Sequence, residues 1–121
     1  MPSVRDALGS VLEIPGVRAA LVVGRDGLLI EATGRGDERF LDMLGAMGAS
    51  ALGTTEALGA ELGQGRTVGA ILEFDNALVS VDPLGEFAAI VTLAENAASL
   101  GRIRQVVRSS REELLRILDT R

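Results

Sequence analysis

The chain has no cysteine, histidine, lysine, tryptophan or tyrosine, and only three phenylalanines. Without cysteine there is no disulfide, no thiolate metal site and no sulfur nucleophile, which fits a cytoplasmic protein. Without histidine the commonest metal ligand and neutral-pH general base are gone, so no metal or other cofactor is expected. Hydrophobic residues make up 47% but aromatics only 2%, so the core must be built of Leu, Val, Ile and Ala. The length, 121 residues, suits a single domain over 1–121 with a core that needs no staples. No apolar run approaches the ~20 residues of a membrane span. The opening MPSVRDALGSVLEI carries acids where a signal peptide is apolar, so neither secretion nor membrane insertion is expected.

A net charge of −5 and a pI near 4.7 argue against nucleic acid as a partner, because phosphate binding relies on a basic footprint. The charge is uneven. Residues 1–101 hold 6 Arg against 14 acids, for −8, and residues 102–121 hold 6 Arg against 3 acids, for +3. Arg104, Arg108 and Arg111 share one helical edge, which reads as a solvated face near a helix C-terminus or as a site for an acidic partner.

In chain order, Ser3 and Asp6 form a capping pair for a short helix striped by Val4, Ala7, Leu8, Val11 and Leu12, ended by Pro15-Gly16. Val17–Gly24 is almost wholly apolar and reads as a central strand covered on both sides. Arg25-Asp26-Gly27 makes a tight turn, and 28–33 returns as the hairpin partner. Asp37 caps a long helix over 37–62, closed by Gly63-Gln64-Gly65. Three strands follow, 66–74, 77–82 and 86–93, joined by turns too short for a crossover and therefore antiparallel. A final helix, capped by Ser99, carries Ile103, Val106, Val107, Ser110, Leu114, Ile117 and Leu118 on one side. The order α-β-β-α-β-β-β-α, with apolar strands to bury on both faces, predicts a three-layer α+β domain with a five-stranded, mostly antiparallel sheet.

The long helix is the informative stretch. Phe40, Leu44, Met47, Ala51, Leu58 and Leu62 form a stripe expected to face the core. The opposite face offers Asp42, Gly45, Ala49, Gly53, Glu56 and Ala60, with no charge from Met43 to Thr55. Glycines at 45, 48, 53 and 59 together cost a helix about 4 kcal/mol. Close approach of a second helix would offset that cost, so this face is expected to self-associate. The alternative is a solvated face simply filled with small residues.

Ile14-Pro15-Gly16-Val17, the strand leading to Arg25-Asp26-Gly27, the Ala-rich long helix, the Pro83-Leu84-Gly85 turn and Leu100-Gly101-x-x-Arg104 occur here in a set order and spacing. That arrangement resembles the roadblock / dynein light-chain domain family over about residues 3–119, in particular its small bacterial single-domain members. Ser99 stands where the family would have Asn, an equally good cap. The resemblance implies the roadblock (profilin-like) fold. It also implies a homodimer formed through the long helix, with the third strand paired to its mate and higher-order assembly open. The implied interface comprises Gly45, Gly48, Ala49, Leu52, Gly53, Glu56 and Ala60 of the helix with Val68, Ala70, Ile71 and Leu72 of the strand. It implies a non-enzymatic regulator of a small Ras-like GTPase, either activating protein or effector, in bacterial polarity, motility or signalling. The alternative is a passive scaffold with no GTPase partner. The charged rim Asp37, Glu38, Arg39, Asp42, Glu56 and Glu61 is the first candidate for GTPase contact.

Enzyme readings fare poorly on the residues themselves. Glu73 and Asp75 flank a two-residue turn, where Asp serves its own backbone. Gly63-Gln64-Gly65-Arg66-Thr67 lacks the lysine and spacing of a phosphate loop and follows a helix instead of preceding one. Arg35, Arg39 and Arg66 lie near the long helix and could serve a GTPase in trans, but positioning the partner's own groups is an equal route.

Overall fold

Ser3 opens the first helix through a reciprocal cap: its hydroxyl accepts from the Asp6 amide at 3.1 Å, and its own amide donates to Asp6 Oδ2 at 2.9 Å. The structure, a computed structural model, describes residues 3–119. Its elements are α1 (Val4–Leu12), β1 (Val17–Gly24), β2 (Leu29–Gly34), α2 (Glu38–Leu62), β3 (Ala70–Phe74), β4 (Ala77–Leu84), β5 (Ala88–Ala94), a 3-10 turn (Ala97–Ser99) and α3 (Leu100–Asp119). The strands form one sheet in the order β2-β1-β5-β4-β3, and every neighbouring pair is antiparallel.

Strand alternation divides the core in two. Ala20, Val22, Ile90 and Leu84 point to one face, where they meet Leu8 and Val11 of α1 and Ile103, Val107 and Leu114 of α3. Ala19, Leu21, Val23, Val79 and Val91 point to the other, where they meet Leu44, Ala49 and Leu52 of α2. This is the expected three-layer arrangement, and β1 is the expected strand buried on both sides.

Several boundaries differ from the sequence reading: β2 is shifted by one residue, β4 runs on through Pro83 to Leu84, and β5 begins at Ala88 and not at Glu86. β3 begins at Ala70, not Arg66, because its ladder with β4 stops at Ala70 opposite Val81. Beyond that point β4 carries Asp82 and then Pro83, which has no amide to donate. Ser99 does not cap α3. Asn96 caps the 3-10 turn through its side chain, while the Ser99 hydroxyl donates to the carbonyl of Pro15 and ties the loop after α1 to the start of α3.

Candidate interaction surface

Most of α2 is turned the other way from the expectation. Its buried residues are Leu44, Gly45, Gly48, Ala49 and Leu52, so Gly45, Gly48, Ala49 and Leu52 belong to the subunit's own core and not to an exposed dimer face. A Cβ on Gly45 would lie 3.3 Å from Val23 Cγ2, and one on Gly48 only 2.6 Å from Val91 Cγ2. The glycines let the helix backbone settle onto valines of the sheet. Of the stripe expected inside, Leu44 is buried, but Phe40, Met47, Leu58 and Leu62 are exposed. A helix apolar on both faces gives periodicity nothing to decide between them, and here small-on-large packing wins.

The outward face of α2 therefore carries Phe40, Met43, Met47, Leu58 and Leu62, with Met47 65% and Leu62 59% exposed. Gly53 has open space around it, and Ala60 is exposed. Beside this helix runs β3, the last strand of the sheet. Val68, Ile71, Leu72 and Phe74 are all exposed large apolar side chains, whereas Ala70 packs against the core under α2. By alternation Leu72 and Phe74 lie on the same side of the sheet as α2 and Ala70. The opposite edge strand, β2, is flanked by α1. An uncovered apolar helix beside an apolar edge strand is the kind of surface a folded protein keeps only for a partner.

The charged candidates do not form one patch. Asp37 is engaged as the N-cap of α2, accepting from the Phe40 amide at 2.8 Å. Glu38, Arg39 and Asp42 are exposed nearby, and Glu61 is exposed at the far end. At 1.5 Å per residue, Asp37 and Glu61 stand roughly 36 Å apart along the helix axis. Glu56 is half-buried and paired with Arg25. Arg25 also donates from Nε to the Ala88 carbonyl at 2.9 Å and from Nη2 to the Gly85 carbonyl at 2.8 Å. It thereby joins the β1–β2 turn, the β4–β5 turn and the second half of α2. In the sequence Arg25 looks like an ordinary turn residue, and only the three-dimensional arrangement shows this role.

A second feature lies under α3. Asp82 is 7% exposed on the α3 side of β4, accepting from the Ser80 hydroxyl at 3.1 Å. Burial pushes its carboxyl pKa above the ordinary 3.8, opposed by the Ser80 hydrogen bond and by Arg104, Arg111 and Arg108. The arginine edge read from the sequence thus faces a buried acid. Its signal in the sequence is an Asp two residues after Ser80 in a mostly apolar strand, immediately before Pro83. An acid whose folded pKa is raised binds its proton more tightly in the native state, so it lowers stability as pH rises from 3.8 through the folded value. Asp82→Asn is accordingly expected to be more stable than the parent in urea at neutral pH. The advantage should shrink as pH falls toward 3.8; an advantage independent of pH would place the effect elsewhere.

Comparison with known proteins places this architecture. The family model for the Roadblock/LC7 domain matches residues 4–94. The chain belongs to the Roadblock/LC7 domain family. Its fold is the roadblock, profilin-like fold, with helices on both sides of an antiparallel five-stranded sheet. An uncharacterised protein of Methanocaldococcus jannaschii is 29% identical over 99 residues, 82% of this chain and 85% of its own. Among solved roadblock structures, one of MglB with a tetrameric arrangement is 27% identical with a TM-score of 0.84, covering 96% of this chain and 88% of that one. The gliding protein MglB from Thermus thermophilus is 26% identical, also at a TM-score of 0.84, covering 97% of this chain and 89% of its own. The chain is therefore a roadblock protein closely similar in structure to MglB. Among its described residues no helix is long and apolar enough to cross a membrane.

Proposed function

We propose that this chain is a single roadblock domain that acts in the cytoplasm as a homodimer, regulating a small Ras-like GTPase without catalytic machinery of its own. The observation that carries the reading is the uncovered apolar surface of α2 and β3, on a chain similar to the gliding protein MglB over 97% of its length. A two-fold axis across α2 would lay the two helices antiparallel, Met47 and Leu58 of each against the other copy. The same axis would pair the two β3 edges and continue the sheet between subunits. Antiparallel pairing would also bring Asp37, Glu38, Arg39 and Asp42 of one copy toward Glu56 and Glu61 of the other, assembling a charged rim that a single chain spreads over the helix length. That rim is the proposed GTPase contact. Higher-order assembly is compatible with this reading, since one MglB structure has a tetrameric arrangement.

Mixing the protein with the small GTPases encoded in the same genome, loaded with GTP or GDP, tests the reading through binding and phosphate release. Binding that depends on the nucleotide is the expected result. Absence of nucleotide-dependent binding to every one of them would leave the passive scaffold as the function.

A further inference from the structure

At the corner of the sheet where β4 ends, the last turns of α2, the segment before β3 and the middle of α3 enclose a cleft of about 660 Å³. Its charged lining is Arg25, Glu56, Arg66, Glu86 and Arg111. Two of these groups are already spent on each other, since Arg25 pairs with Glu56 and gives its other donors to the Ala88 and Gly85 carbonyls. Arg66 and Arg111 are not. Among the described residues neither has an ion-pair partner within 4.0 Å, and the Nε of Arg111 is buried with no hydrogen-bond partner. That buried Nε lies out of reach of a ligand in the cleft, but the outer donors of Arg111, like those of Arg66, have no carboxylate within 4.0 Å and are open to one.

Asp82, beneath α3 and outside the cleft lining, interacts with Arg111 electrostatically and shares no hydrogen bond with it. On the open side Glu86 opposes the pair. Among the residues that line the cleft itself, Arg25 and Glu56 cancel and Arg66 and Arg111 exceed Glu86 by one charge, an excess that matches a monoanion better than a dianionic phosphate. The remaining walls include the apolar side chains of Pro83 and Leu115. Gly65 and Gly85 line the cleft with no side chain to obstruct entry.

We propose that this cleft is a carboxylate-binding site that receives an acidic side chain, with Arg66 and Arg111 holding the carboxylate and Pro83 and Leu115 packing on its methylenes. Arginine suits the task because its planar fork matches the two carboxylate oxygens. On the regulator reading above, the acidic side chain belongs to the GTPase. The site itself does not depend on that reading, because the chemistry can be probed with small ligands.

The test is a titration of the uniformly ¹⁵N-labelled protein, followed by NMR. Glutarate and a short Glu-containing peptide are added in separate series, with inorganic phosphate and chloride at matched ionic strength. Saturable shifts of the Gly65 and Gly85 amides and of the Arg111 Nε–H with glutarate, the peptide or both are expected. Response to the peptide alone would assign the site to protein-borne carboxylates. Arg66→Gln and Arg111→Gln should each weaken the response at least tenfold, and Arg108→Gln, outside the cleft, should leave it intact. Arg66 is exposed, so its variant keeps the test valid if Arg111→Gln fails to fold. No saturable shift at the cleft, shifts that persist in Arg66→Gln, or phosphate binding more tightly than both carboxylates would overturn the proposal. Loss of GTPase binding in the earlier experiment, with these shifts intact, would overturn only the regulator reading.

Discussion

If the proposed dimer forms through α2, replacing Met47 and Leu58 together by glutamate is expected to convert it to monomer in analytical ultracentrifugation while leaving the subunit folded. Met47 is 65% and Leu58 58% exposed on the outward face of α2, so the isolated subunit loses little by the exchange. Burying a Met or Leu side chain is worth about 1.5–3 kcal/mol. Each position occurs twice across a two-fold axis, so the double variant removes roughly 6–12 kcal/mol of apolar burial, the range that separates micromolar or tighter dimers from monomers. The four new carboxylates would also repel one another at close range. Leu28, 70% exposed in the β1–β2 turn, supplies the control: Leu28→Glu adds one carboxylate to an exposed apolar site away from α2 and should leave the sedimentation coefficient unchanged. A dimer that survives the Met47/Leu58 exchange would show that α2 is not the interface.

The second large effect is a contrast between two glycines of the same helix. Gly48→Ala is expected to destabilise by about 1–3 kcal/mol despite adding a better helix former. The new methyl would start 2.6 Å from Val91 Cγ2 and 3.2 Å from Cγ1. Val91 is fully buried on β5, and a β-branched side chain has few rotamers into which to retreat. Either α2 lifts from the sheet or the strand yields. Gly53→Ala should do the opposite, because nothing lies within 4 Å of a Cβ there and the helix gains up to about 1 kcal/mol. Urea denaturation of the two variants reads both signs directly. Equal stability of Gly48→Ala and the parent would mean that α2 does not need its close seat on the sheet. A charged residue at position 48 would likewise unfold the subunit, so loss of dimer in such a variant says nothing about the interface.

The element order, the caps at Ser3, Asp37 and Gly63, and the twofold burial of β1 follow from local rules that the sequence displays openly. Hydrogen-bonding side chains sit next to the ends they satisfy, and Gly63 takes φ 64° where only glycine is at ease. The orientation of α2 is a different matter. Its small face and its large face are both apolar, and which one meets the sheet depends on the valines of β1 and β5, far away in the chain. The same distance hides the partnership of Asp82 with α3, since the acid and the arginines belong to elements separated by β5 and the 3-10 turn. Val68, Ile71 and Leu72 are named as boundary residues through the family resemblance, and all three are exposed. Of the helix residues grouped with them, Gly45, Gly48, Ala49 and Leu52 face the sheet instead, because small residues on a helix serve a sheet as well as they serve another helix.

The sequence of β3 also bears on what kind of assembly its edge permits. The strand reads Ala70-Ile71-Leu72-Glu73-Phe74, four apolar residues and one acid on an edge with no strand beyond it. Strands stacked parallel and in register would set Glu73 directly over Glu73 in every layer, an accumulating repulsion. An antiparallel pair centred on Leu72 instead sets each Glu73 beside an Ile71, and the pair uses up both edges. One carboxylate thus tolerates a closed pair and penalises an endless one, guarding newly made chains against fibrous stacking without giving up the apolar strand.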